Sequence, residues 1–78
     1  MLSKVTDFII KFESGGCANE EEIFEGFQML LDEDVLFKLQ GFYGRMGMQM
    51  LERGFIHLPK DRKVLDAYGN EVTVGMVQ

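Results

Sequence analysis

The stretch Asn19-Glu20-Glu21-Glu22-Ile23-Phe24-Glu25-Gly26-Phe27-Gln28-Met29-Leu30-Leu31 decides the fold class. Asn19 is a strong N-cap residue, and Glu22 three positions later completes an Asn-x-x-Glu variant of the capping box. Glu20, Glu21 and Glu22 put negative charge in the first turn, where the helix dipole favours it. Ile23, Phe27, Leu30 and Leu31 form one apolar stripe, widened by Phe24. The spacing predicts an amphipathic helix over about 20–31.

Upstream, Val5, Phe8, Ile9 and Phe12 fall at i, i+3, i+4 and i+7, so a helix over about 3–13 is expected, with Ile10 off the stripe. Ser14-Gly15-Gly16 ends it, because glycine supplies the left-handed stop. Downstream, Asp32-Glu33-Asp34 makes a solvated corner that caps the next helix. That helix is expected over about 35–53, with Leu39, Phe42, Tyr43, Met46 and Met50 as its stripe. Gly54 stops it, and Phe55 is placed to pack back on Met50 as in a Schellman motif.

Gly41, Gly44 and Gly47 repeat at i+3 along this third helix, each costing about 1 kcal/mol relative to Ala. Spaced this way, they allow close approach of another backbone, from helix 1 or 2, from a second subunit or from a ligand. The alternative is a break near Gly44. After Pro59 and the charged turn Lys60-Asp61-Arg62-Lys63, a β-hairpin is expected. A two-residue Gly69-Asn70 turn would set Ala67 opposite Val72 and Leu65 opposite Val74. The fold class is therefore mainly α: a three-helix domain over residues 1–58, with the charged turn and hairpin of 59–78 appended to the same domain.

With 78 residues, the chain makes one small domain. Its 46% hydrophobic and 27% charged content is that of an ordinary globular protein. Seven Phe and no Trp point to a core of phenyl rings. Net charge is −5, but residues 1–34 carry −7, residues 35–63 carry +4 and the tail −2. Either the acidic and basic helices pack together and cancel, or an acidic face is left for a basic partner. The overall charge argues against a nonspecific nucleic-acid or anionic-membrane binder. No run approaches the ~20 apolar residues of a membrane span, and no secretory signal pattern opens the chain. With a single unpaired thiol, the expected location is cytoplasmic.

The chemistry-bearing residues are few. One Cys and one His do not make a zinc site. Cys17 with His57 is the sole conceivable nucleophile–base pair, but the glutamates after Cys17 disfavour its thiolate. Those glutamates also repel phosphate from the Gly15-Gly16 turn, and no Walker lysine is present. Asp32, Glu33 and Asp34 lack the spread of a Ca²⁺ loop. No cofactor and no metal are expected, and no enzymatic activity. Met46, Met48 and Met50 alternate, so Met48 points away from the other two and offers an adaptable contact.

Phe27-Gln28-Met29-Leu30-Leu31-Asp32, then Leu39-Gln40-Gly41-Phe42-Tyr43-Gly44-Arg45, then Leu51 and Gly54, resemble a family of small bacteriophage and prophage proteins. Its pattern reads F-Q-x-L-I-D-x-G-x-x-W-x-L-Q-G-x-Y-G-R, followed by a short helix ending L-I-x-x-G. The resemblance covers about residues 5–56. Asp34 and Phe37 stand where the family has Gly and Trp, and Asp tolerates the left-handed conformation better than most residues. The resemblance implies a phage origin, a helical core and a protein that binds and modulates a host or phage protein, such as a polymerase or defence nuclease. It also groups Gln40, Tyr43 and Arg45, either as a contact surface or with Tyr43 in the core and Arg45 paired to the acidic helix.

The expected contact residues are thus Glu21, Glu22, Glu25, Gln40, Tyr43, Arg45 and Met48, on a non-enzymatic module acting on a protein partner inside the host cell. The alternatives are a small DNA-binding regulator reading bases from helix 35–53, which the charge disfavours, and a self-associating structural protein, a homodimer seamed by its glycines.

Overall fold

The computed structural model describes residues 3–39 and 41–74. Helix α1 spans Lys4–Glu13, α2 Glu20–Asp32 and α3 Gly41–Glu52, with a short 3-10 turn at Leu36–Lys38 between the last two. The expectation of a mainly helical, three-helix chain holds, and α1 and α2 lie within a residue of their predicted bounds.

The caps explain the boundaries. Ser3 starts α1 by accepting the Thr6 N–H, and Asn19 starts α2 by accepting the Glu22 N–H at 3.0 Å. The Glu22 carboxylate reaches back to the Ala18 N–H rather than to that of Asn19. All three helices end in the paired hydrogen bonds of a Schellman motif. Gly15 N–H bonds Phe12 O and Gly16 N–H bonds Lys11 O; Gly54 N–H bonds Leu51 O and Phe55 N–H bonds Met50 O. At the end of α2 the left-handed position is taken by Asp34, at φ 66°, with Asp34 N–H on Leu31 O and Val35 N–H on Leu30 O. A side chain therefore sits where helices usually place glycine.

The third helix differs from expectation. It does not run from 35 to 53, nor does it break at Gly44; the interruption comes earlier, where Leu39 is extended (ψ −175°). The reason is a packing one. In a continuous helix, residues 36 and 47 would stand about 16 Å apart along the axis. Here Leu36 folds back against Gly47, so closely that a Cβ on Gly47 would lie 2.5 Å from its Cδ2. Leu36 is thereby 1% exposed. Two glycines of the ridge thus admit side chains of the preceding turn, Leu36 at Gly47 and Phe37 beside Gly44.

The core joins Phe27, Leu30 and Leu31 of α2 to Leu36, Tyr43, Leu51 and Ile56. Phe8 and Phe12 of α1 meet Phe27 edge-on, at ring separations of 5.8 and 5.5 Å. Gly26 makes the α1–α2 approach possible: a Cβ there would fall 2.0 Å from the Phe8 ring.

The expected hairpin is not seen. Among the described residues no strand forms, and the chain reversal holds a single antiparallel bridge, Leu65 with Glu71. Asp66 Oδ1 accepts the N–H groups of both Tyr68 and Asn70, closing a wider turn in which Gly69 takes φ 85°. This side-chain closure replaces the two-residue Gly69-Asn70 turn and moves the register, with the Val72 N–H on Val64 O. Val64 and Val72 enter the core, while Leu65 is left 45% exposed.

Candidate protein-binding face

Helix α2 carries five carboxylates and no basic residue. The 3.6-residue period sorts them onto different sides. Glu21, Glu25 and Asp32 follow one another along its outer, exposed face. Glu22 turns toward α1 and pairs with Lys11 at 2.9 Å. Hydrogen bonding to the Lys11 ammonium, helped by the Ala18 N–H, holds the Glu22 carboxyl below the usual carboxylate range. The same bond raises the Lys11 ammonium above its ordinary value. Both groups reach solvent, so the pair adds little to stability.

Among the described residues, the rest of the acidic face has no ion-pair partner. The other ion pair among the described residues, Lys38–Asp34 at 4.0 Å, lies beyond the end of α2. Arg45 is exposed, with its guanidinium over Gly41, and is not paired with α2. Arg62 reaches the acidic corner but donates to the Asp32 backbone carbonyl, not to a carboxylate. Among the described residues, no basic residue of the 35–63 stretch forms an ion pair with α2.

Grooves flank this face on both sides. Between α1 and α2, a depression of about 300 Å³ has Phe8, Gly26 and Met29 as its floor. Asp7 and Lys11 line one wall, Glu22 and Glu25 the other. On the far side, Phe24 of α2 and Phe55 stack at 4.5 Å over a smaller depression of about 190 Å³, shared with Met46 and Met50 and rimmed by Glu20 and Arg53. Phe55, whose N–H bonds Met50 O as the Schellman reading expects, lines the same depression as Met50, stacks on Phe24 and stays 49% exposed.

The residues expected to make contacts do not form one patch. Glu21, Glu22 and Glu25 share α2. Tyr43 lies in the core at 2% exposure, its hydroxyl donating to Glu13 Oε2 at 2.6 Å. Burial, reinforced by that hydrogen bond to the Glu13 carboxylate, pushes its phenol up to about 12. It is a packing residue rather than a surface one. Met48 is half-buried in a separate depression with Phe37 and Val72. Gln40 lies outside the described residues.

Asp7 and Gly26 carry no role in the sequence reading, whereas Phe24 is expected there in the α2 stripe and Phe55 against Met50. A mid-helix glycine facing the Phe stripe of helix 1 was the available signal for Gly26. Gln28 also has a role that its spacing hides: its amide donates to His57 O and accepts the His57 N–H, both at 2.8 Å, which ties the segment after α3 to α2. Among the described residues, no three His, Cys, Asp or Glu side chains converge as metal ligands.

A family comparison matches residues 1–77 to a domain of unknown function, DUF7417. The chain belongs to this family. The DUF7417 match takes in residues 57–77, beyond the stretch that carries the phage resemblance. No curated protein and no solved structure matches the chain. Among the described residues of this DUF7417 member, no helix is long and apolar enough to cross a membrane.

Proposed function

We propose that this chain is a non-enzymatic binding module whose α2 face, centred on Glu21 and Glu25, docks a basic surface of a protein partner and modulates it. The observation that carries this reading is the uncompensated acidic face of α2, where Glu21, Glu25 and Asp32 lie exposed with no ion-pair partner among the described residues. Exposed like charges held on one helix repel each other, and a complementary surface relieves that repulsion while steering encounter. The adjoining grooves supply apolar contact beside the charge. In the L-Q-G-x-Y-G-R string the resemblance adds a phage origin and a host protein as target. Turnover is disfavoured by the side-chain inventory, with one Cys and one His in the chain.

The test is affinity capture from a bacterial lysate with the wild-type chain and with Glu21→Lys/Glu25→Lys. Both positions are exposed, so circular dichroism should show the variant folded. A partner captured by the wild type and lost by the variant is the expected result. Equal capture by both chains would refute this face as the docking surface.

A further inference from the structure

The geometry points to the groove between α1 and α2 as a receptor for one arginine side chain of the partner, an inference that rests on the binding role proposed for α2. Its floor is apolar: the exposed rim of the Phe8 ring, the Gly26 backbone and the Met29 side chain. The two walls bring three carboxylates, Asp7, Glu22 and Glu25, against one ammonium, Lys11. Lys11 and Glu22 are paired with each other at 2.9 Å, which leaves Asp7 on α1 and Glu25 on α2 facing the same groove without an ion-pair partner among the described residues. The two grooves differ in this respect. The Phe24–Phe55 groove is rimmed by one acid and one base, Glu20 and Arg53, and selects no charge.

At about 300 Å³ the α1–α2 depression sits at the lower bound of small-molecule sites, so it suits one long side chain better than a cofactor. A cation entering it must lay its stem on an apolar floor and its head between two carboxylates. Arginine meets both demands. Its guanidinium is flat and weakly hydrated, and its forked donors reach two acceptors at once. Lysine offers a compact, strongly hydrated charge that loses more on leaving water. The groove also depends on Gly26, because any side chain there would displace Phe8 and fill the floor.

The test is an amide NMR titration of the full chain with three blocked tripeptides: acetyl-Gly-Arg-Gly-amide, its lysine counterpart and its norleucine counterpart. The arginine peptide should shift the Gly26 and Met29 amides, the lysine peptide should do so more weakly, and the norleucine peptide should leave them in place. Asp7→Asn with Glu25→Gln should weaken the arginine effect about fivefold with the spectrum otherwise retained. Equal shifts from norleucine, shifts confined to Glu21 and Asp32, or arginine binding indifferent to both substitutions would overturn the assignment. Asp7→Asn alone separates this inference from the one beneath it. If the partner is lost by Glu21→Lys/Glu25→Lys yet fully retained by Asp7→Asn, the docking face stands and the arginine groove falls. If the arginine peptide binds the groove while capture survives the double charge reversal, the groove stands and the wider face falls.

Discussion

Replacing Gly26 by alanine should destabilise this protein, although alanine is the better helix former. A Cβ built at Gly26 would stand 2.0 to 2.3 Å from three atoms of the Phe8 ring. The ring would have to retreat by roughly 1.5 Å to restore ordinary contact. It has little freedom to do so: Phe12 stacks on it at 5.7 Å and Phe27 meets its edge at 5.8 Å. Forcing a carbon into a packed site of this kind costs about 2–3 kcal/mol, and the gain in helix propensity returns about 1 kcal/mol. The net loss is about 1–2 kcal/mol, a fall of roughly 5–15 °C in Tm for a domain of this size. Gly44→Ala is the matched control. It is also in a helix, but its Cβ would meet Phe37 at an ordinary 3.4 Å. It should raise Tm by roughly 4–8 °C. Thermal and urea unfolding followed by circular dichroism read both changes. Phe8→Leu in the Gly26→Ala background should recover part of the loss, giving a favourable coupling in the double-mutant cycle. If Gly26→Ala and Gly44→Ala both raised Tm, the close approach of α1 to α2 over Gly26 would be refuted.

Asp34→Gly should stabilise by about 0.5–1 kcal/mol, because glycine takes φ 66° without the Cβ penalty; a lower urea midpoint would contradict the Schellman geometry at the end of α2. Tyr43 should ionise with a midpoint near 12 in an ultraviolet titration, and one near 10 would show that it is neither buried nor bonded to Glu13. Since its folded pKa is raised above the unfolded value of 10, its stabilising contribution is complete below pH 10 and is lost as pH rises toward 12. Gln28→Ala removes both hydrogen bonds to the His57 backbone, so the His57 amide should exchange faster with solvent, with a stability loss of about 1–2 kcal/mol; unchanged exchange would show that the clasp does not hold.

The elements written in local chemistry were legible without a structure. The capping signal at Asn19, the glycine stops at Gly15 and Gly54 and the apolar period of α1 and α2 each depend on residues within a turn or two of one another. Local propensity and capping energies act at that range. The asymmetry of charge was legible too, together with its two possible outcomes. Whether the acidic helix is neutralised depends on distances between elements, and those are set by packing.

What only tertiary structure decided involves partners far apart in sequence. The apolar pattern of residues 35–53 is compatible with one helix or with two pieces. Burial of Leu36 against Gly47 selects the broken form, because a straight helix would strand that leucine away from the core. The turn at 66–70 departs from the two-residue form because Asp66 Oδ1 takes the Tyr68 N–H, which a Gly69-Asn70 turn would leave to the facing strand. The helical identity of this chain was therefore set by short-range patterning. The placement of Tyr43 inside, of Glu21 and Glu25 outside, and of the groove over Gly26 came from how rings and methyl groups fill space between helices.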